Sequence, residues 1–312
     1  MRYRLKVYSI WETGDRKDAD GNPQQEDCIF PAHGASCDED RLFILCDGMG
    51  GRDAGDVASA AVCEGMSSSV LSGCPDPEGE FDDGMLVKAI DDAARLLDSK
   101  DTGALRKMGT TMAFLKLHSG GCTIAHIGDS RVYHIRPGKD VDSTRILFRT
   151  EDHSLVSALI RKGVMTPEEA RRSPHRHIIT RSMMPGASRR PRADVYHTAD
   201  IRPGDYFFLC SDGMLEQMED EDIQFSFSGL AGDDAHKVRL LTQATSNNHD
   251  NHTGIIVHVE AVEGGSVPKD DEAELEELLT RPQPKVPVSR PVQVVTAILI
   301  ALICICILLF II

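Results

Sequence analysis

The chain has 312 residues, with 49 Asp and Glu against 34 Lys and Arg, for a formal net charge of -15. That length suits one large domain or two ordinary ones, and a hydrophobic content of 41% supplies a core and excludes wholesale disorder. The acid excess excludes a general nucleic-acid binder, which needs a basic face to meet phosphates, and it fits a protein that gathers carboxylates around cations.

The chain opens on MRYRLKVYSIWETGDRK, which holds no apolar run of signal-peptide length. Gln24–Phe30, QQEDCIF, sets paired carboxylates before an apolar run. Short runs rich in Val, Ile, Phe and Leu, bounded by turn residues, predict strands at Leu42–Cys46, Met112–Leu117, Thr123–Ile127, Val132–Ile135, Tyr206–Cys210 and Gly254–Val259. Helices are predicted at Gly55–Leu71, Gly84–Leu97, Leu155–Lys162 and His236–Asn247. In the first of these, Val57, Ala60, Ala61, Glu64 and Ser68 follow helical spacing and mark a small-residue face for close packing. Pro75–Asp83 carries five acids and reads as a loop. Alternating strand and helix patterns over residues 1–262 predict a layered α and β domain.

Beyond Ala261 the composition changes. Residues 263–291 read as a linker: a flexible exit, a short acidic helix at Asp270–Leu279, then an extended spacer with Pro282, Pro284, Pro287 and Pro291. Asp270–Glu277 lacks the ligand spacing of a calcium loop, so a solvated spacer is the better reading. Residues 292–312 contain no charge, Pro or Gly. A helix from Val294 to Ile312 would be about 28 Å long, the span of a bilayer core. With Lys285 and Arg290 upstream, the expected arrangement is a single-pass C-terminal membrane anchor with the globular domain in the cytoplasm.

The nine cysteines form no CxxC pair, and Cys46, Cys122, Cys210, Cys304 and Cys306 lie in apolar runs. Buried reduced thiols fit this pattern better than a disulfide framework or a zinc site.

Three segments share one design, an apolar strand ending in Asp-Gly or Gly-Asp: FILCDGMGG (Phe43–Gly51), AHIGDSRVY (Ala125–Tyr133) and FFLCSDGM (Phe207–Met214). SNNHDNHTGIIVHV (Ser246–Val259) sets Asp250 just before a strand. One Asp-Gly alone is a turn signal. Several acids converging at one sheet end would repel each other without cations between them, and hard oxygen ligands select Mg²⁺ or Mn²⁺.

In order, QED, DGMGG, GTTMAFL, HIGDSRVY, DHS, ITRSM, SDGM and DN-x-T resemble the metal-dependent Ser/Thr protein phosphatases of the PPM/PP2C family, bacterial-type branch. The resemblance spans about residues 3–260. It implies a four-layer α-β-β-α sandwich, an α+β fold with two antiparallel sheets flanked by helix pairs and the metals in a cleft at one end. It implies Asp47 as the carboxylate between two metals, with the Gly48 carbonyl as a further ligand. Asp212 and Asp250 would serve the first metal and Glu26 the second. Asp27 would orient water from outside the ligand set, and Asp129, with Asp212, would hold a weaker third ion. Two Mn²⁺ or Mg²⁺ ions would activate a water that attacks phosphoserine or phosphothreonine in line, with no phosphoenzyme. Asp47, Asp212 and Asp250 would carry the catalysis. Phosphoproteins are the implied partners, together with a Ser/Thr kinase that shares them.

Two departures from the family pattern matter. Many members place an Arg four residues before the metal-site Glu to clamp the substrate phosphate, and here that position is Asn22. Either DADG is an insertion that lets Arg16 reach the site, or the clamp is missing and the chain is a phosphatase-fold sensor of weak or no activity. Second, Met49 stands where animal-type members carry a His. His153 in DHS has the residue type of an acid, but a strand-end histidine with local hydrogen bonds is the preferred reading. Leu155–His177 takes the place of the family's variable flap, where Arg171, Arg172, Arg176 and His177 form a basic patch, either a solvated helix face or a surface for phosphopeptide or neighbouring acids. Gly109-Thr110-Thr111 and Thr180-Arg181-Ser182 read as structural.

Overall fold

The computed structural model describes residues 1–264 except 19, 51–53, 102, 104–107 and 189. The expected transmembrane helix at 292–312, and nearly all of the linker before it, lie outside the described residues. Among the described residues no helix is long and apolar enough to cross a membrane.

The strands in chain order are β1 (Arg2–Glu12), β2 (Asp27–Phe30), β3 (Leu42–Met49), β4 (Gly109–Thr110), β5 (Met112–His118), β6 (Gly121–Ile127), β7 (Arg131–Arg136), β8 (Arg145–Arg149), β9 (Asp194–Thr198), β10 (Tyr206–Cys210) and β11 (His252–Glu263). The helices are α1 (Gly55–Gly73), α2 (Asp83–Lys100), α3 (Leu155–Arg161), α4 (Pro167–Arg172), α5 (Asp220–Phe227) and α6 (Asp234–Thr245). One sheet runs β1-β11-β10-β7-β8; the other runs β2-β3-β5-β6-β9, with β4 pairing β3. All the pairings are antiparallel.

Side-chain alternation builds the layers. On β3, Phe43 and Leu45 join Leu5, Leu115, Phe207, Leu209, Ile255 and Val257 between the two sheets. Leu42, Ile44 and Cys46 point the other way, into a core shared with Ala58, Val62 and Met66 of α1 and Leu86, Ala93 and Leu97 of α2. Tyr206, Phe208 and Ile256 pack outward beneath Ile223 and Phe227 of α5 and Leu241 of α6. The expected four-layer sandwich is therefore present. β10 is buried at every residue, as a central strand covered on both faces must be.

The predicted packing face of α1 is corrected. Ala60, Glu64 and Ser68 are exposed, and Ala58, Ala61, Val62, Gly65 and Met66 are buried. The helix packs on β3 and on α2 at once, so its apolar residues spread too widely to mark one stripe. Gly65 makes the helix contact possible, since a Cβ there would lie 2.5 Å from Ala93 Cα. β1, β2, β4, β8, β9 and α5 are elements that the sequence reading did not predict. β8 and β9 are edge strands with half-exposed side chains, which carry little apolar signal. β1 alternates Arg2, Arg4 and Lys6 with Tyr3 and Leu5, a legible period of two that the apolar-run criterion passed over.

Candidate metal centre

The acids stand at strand ends on one side of the sandwich. Asp27, first in β2, lies directly opposite Asp47 on β3. Asp129 follows β6, and Asp212 follows β10, where Cys210 pairs with both Arg131 and Gly254. Asp250 lies two residues before β11. The antiparallel register thus brings together residues separated by more than 200 positions.

Backbone hydrogen bonds fix the cluster. The Glu26 N–H donates to Asn251 Oδ1 (2.8 Å), while Asn251 Nδ2 donates to the carbonyls of Thr13 and Gln24 (2.8 Å each). Asn251, the second residue of the DN motif, therefore pins the Glu26 loop to the start of β11, a role the sequence reading did not assign. Gly48 N–H donates to the Glu26 carbonyl (3.1 Å). A Cβ on Gly48 would lie 2.2 Å from the Gly55 carbonyl oxygen and 2.5 Å from that of Glu26, so only glycine fits. The Asp47 N–H donates to Thr111 Oγ1 (2.9 Å), and its carbonyl accepts from Thr110 Oγ1 (2.8 Å) and Thr111 N–H (2.9 Å). The GTT motif is structural, as read, and what it holds is Asp47.

Glu26, Asp27 and Asp129 are buried. Burial pushes the Asp27 carboxyl up to about 8, with Asp212 and Asp250 adding to the rise. Burial, then Asp27, Asp212, Asp129 and Asp250, hold Asp47 well above the usual carboxylate range. Burial and then Asp212 do the same to Asp129. Asp27 Oδ2 and Asp129 Oδ1 are buried without a hydrogen-bond partner. Buried acids crowded this way are costly unless positive charge joins them. The oxygen-only donor set and the two orphaned oxygens fit hard divalent cations.

Arg16 reaches the acids. Lys17 bridges to Pro23, and the Asp18 carboxylate accepts from Asn22 N–H (2.8 Å) and Nδ2 (3.1 Å). Gln24 N–H donates to the Arg16 carbonyl (3.0 Å), so Arg16 stands beside the segment that leads to Glu26. Its guanidinium donates to Asp250 through Nε (2.6 Å) and Nη2 (2.8 Å), with Nη1 3.9 Å from Glu26 Oε2. Arg16 and Gln24 are thus neighbours despite the residues between them in sequence, and an arginine is not missing from the site.

In the flap region, α4 starts from a capping box built by Thr166 and Glu169. Arg171 pairs with Glu168 and with Glu219, just before α5. From the basic patch, His177 comes to the acids, with Nδ1 3.9 Å from Asp212 Oδ2, and Asp212 raises its imidazole above the ordinary range. His153 does not join them; its ring Nδ1 accepts from Gly128 N–H (3.0 Å), the local role preferred from sequence. Cys28 and Cys46 pack with Cys63 of α1 on the face of the sheet behind the acids. Contact with Cys63 and burial push the Cys28 thiol up, against any nucleophilic role.

An end-of-sandwich carboxylate cluster with an adjacent guanidinium defines a cation-dependent phosphoester centre. The Protein phosphatase 2C family profile matches residues 13–231. Serine/threonine protein phosphatase PstP of Mycobacterium tuberculosis is 35% identical over 189 residues, 59% of this chain, and the match spans 33% of that relative's length. Protein phosphatase PhpP of Streptococcus pneumoniae is 32% identical over 183 residues, 59% of this chain and 71% of PhpP. The crystal structure of the PstP catalytic domain in complex with two manganese ions superposes with a TM-score of 0.63 at 26% identity, covering 83% of this chain and 99% of that one. The chain belongs to the protein phosphatase 2C family, and the enzyme class read from its motifs, a metal-dependent protein-serine/threonine phosphatase, stands.

Proposed function

We propose that this chain hydrolyses phosphoserine and phosphothreonine in proteins, with Mn²⁺ or Mg²⁺ as cofactor. The observation that carries the reading is the buried carboxylate cluster with orphaned oxygens on Asp27 and Asp129. Glu26, Asp47, the Gly48 carbonyl, Asp212 and Asp250 would hold two cations, and Asp129 with Asp212 a weaker third. Bound cations supply an acidified water and neutralise charge on the phosphoryl oxygens. Asp27 would orient that water from outside the ligand set. Arg16, paired in two-pronged fashion with Asp250, carries the same fork that a phosphate accepts. His177, 3.9 Å from Asp212, would bring a further basic group to the site.

The apolar run at 292–312 supports a membrane tether, with 263–291 as its spacer and the enzyme on the cytoplasmic side. Its partners would be phosphoproteins made by a Ser/Thr kinase. The test is turnover of a phosphothreonine peptide by the full chain in detergent, with Mn²⁺, with EDTA, and with Asp47→Asn. Metal-dependent turnover by wild type and none by Asp47→Asn is expected. Equal rates for the two, or no metal dependence, sink the proposal, and full-length chain soluble without detergent sinks the tether.

A further inference from the structure

His126, His153 and Asp194 bring one ligand atom each to within 4.8 Å of one another, the geometry of a cation site. Their hydrogen bonds point elsewhere. Nδ1 of the His153 ring faces Gly128 N–H (3.0 Å), a donor only, so Nδ1 bears no proton and the ring proton sits on Nε2, which donates to Asp194 Oδ2 (3.1 Å). A cation on Nε2 would have to strip that proton or break the Gly128 bond. His126 is likewise committed, with Nε2 donating to the Glu151 carbonyl (2.8 Å). His153 and Asp194 form a hydrogen-bonded relay on which His126 stacks, not a ligand set.

The relay ends at the acid cluster. His153 clamps Gly128 twice, since its own N–H donates to the Gly128 carbonyl (2.9 Å) while its ring accepts from the Gly128 N–H. The His153 carbonyl accepts from Thr180 N–H (2.7 Å) and Thr180 Oγ1 (2.9 Å), at the far end of the flap. Asp194 is held in turn by Arg181 (2.5 Å). The ring is kept in plane by stacking on His126, 4.3 Å away at 17°. Gly128 needs such a hold. Its φ is +110°, and a Cβ would lie 2.6 Å from Thr111 Cγ2. The next residue is Asp129, buried with Oδ1 unpartnered.

We infer that His153 is a positioning residue for Asp129: its Nδ1 fixes the Gly128 peptide that aims the Asp129 carboxylate, and its Nε2 ties that aim to Asp194, Arg181 and the base of the flap. The inference rests on reading Asp129 as a ligand of the weaker ion. The histidine touches neither substrate nor cation and acts through the loop. Partners that orient a ligand commonly change metal affinity by about 10- to 100-fold.

Two variants separate the ring's atoms. In His153→Asn the amide oxygen can stand for Nδ1 and keep the Gly128 bond. In His153→Gln the amide reaches the position of Nε2 and leaves Gly128 N–H unpaired. Mn²⁺ titration of the full chain by calorimetry is the readout, with Asp129→Ala as reference. Asp129→Ala should lose the weakest ion. His153→Gln should bind that ion about tenfold more weakly or worse, while His153→Asn stays within about threefold of wild type and both keep the two tight ions, which also reports an intact fold. Wild-type affinity in His153→Gln, or equal loss in both variants, overturns the inference. Retention of every ion by Asp129→Ala overturns the ligand reading and the inference with it. Imidazole nitrogen NMR on the wild-type chain gives a check that needs no variant: a proton on Nε2 is expected, and a proton on Nδ1 refutes the clamp.

Discussion

Strand β10 has an aspartate beyond each end, and the protein treats the two ends in opposite ways. Asp205, just before the strand, is fully buried. It accepts from Arg136 through Nε and Nη2 (2.8 Å each), from His134 (3.0 Å) and from Arg202 N–H (2.9 Å). Burial works to raise its pKa, but Arg136 and His134 outweigh that and hold it below the ordinary carboxylate range. Past the other end lies Asp212, amid Asp27, Asp47 and Asp129; burial first, and neighbouring carboxylates next, raise the pKa values of those three. The protein supplies its own cations where an acid is structural. At the opposite end it leaves much of the charge uncompensated, which costs stability and makes a seat for ions from solution.

The largest expected effect breaks that contrast directly. Asp205→Ala leaves Arg136 and His134 facing a buried gap and should cost about 3 kcal/mol in chelator-treated protein, read from denaturant unfolding followed at the single tryptophan, Trp11. Asp27→Asn under the same conditions should stabilise. Destabilisation of similar size in both variants would show that the two ends are not different in kind.

The pH dependence sharpens the same point. Asp27 titrates near 8 in the folded cation-free protein against 3.8 for the unfolded reference. Between those values the folded state holds the extra proton, so the cation-free protein should lose stability as pH rises from about 4 through about 8. Asp205, with its lowered pKa, contributes in the other direction: its stabilisation is present above the unfolded value and is lost as acid protonates the folded form. Melting in EDTA across this range should show the falling slope, and Asp27→Asn should flatten it. A slope that Asp27→Asn leaves unchanged assigns the titration elsewhere.

The smallest effect concerns the cation that the acid end does supply. Arg16→Lys keeps the charge and loses the fork. KM for a phosphothreonine peptide should rise about tenfold, with the smaller change in kcat. An unchanged KM would mean that Arg16 serves the acids and not the substrate.

Much of this was legible from residue patterns. The strand-Asp-Gly design at Asp47 and Asp212, the Asp129 turn and the DN pair at Asp250 were each visible locally, and the apolar runs at Leu42 and Tyr206 became central strands. Asn251 was passed over because its part is to bond three backbone groups far away in sequence, and no spacing rule encodes that. Arg16 could be left only as one of two alternatives, since an insertion and a missing residue look alike in sequence until Gln24 is seen bonded to Arg16.

Residue order by itself determined the layered α and β class, through local periodicity, and the acid inventory and the family resemblance that implies four layers, through short motifs. Tertiary structure decided which acids are compensated. Asp205 and Asp47 are both aspartates at the edge of apolar strands, and only the register of distant strands puts Arg136 and His134 beside one and further carboxylates beside the other. Charge compensation depends on distances of a few ångströms between residues far apart in the chain, and folding alone sets those distances.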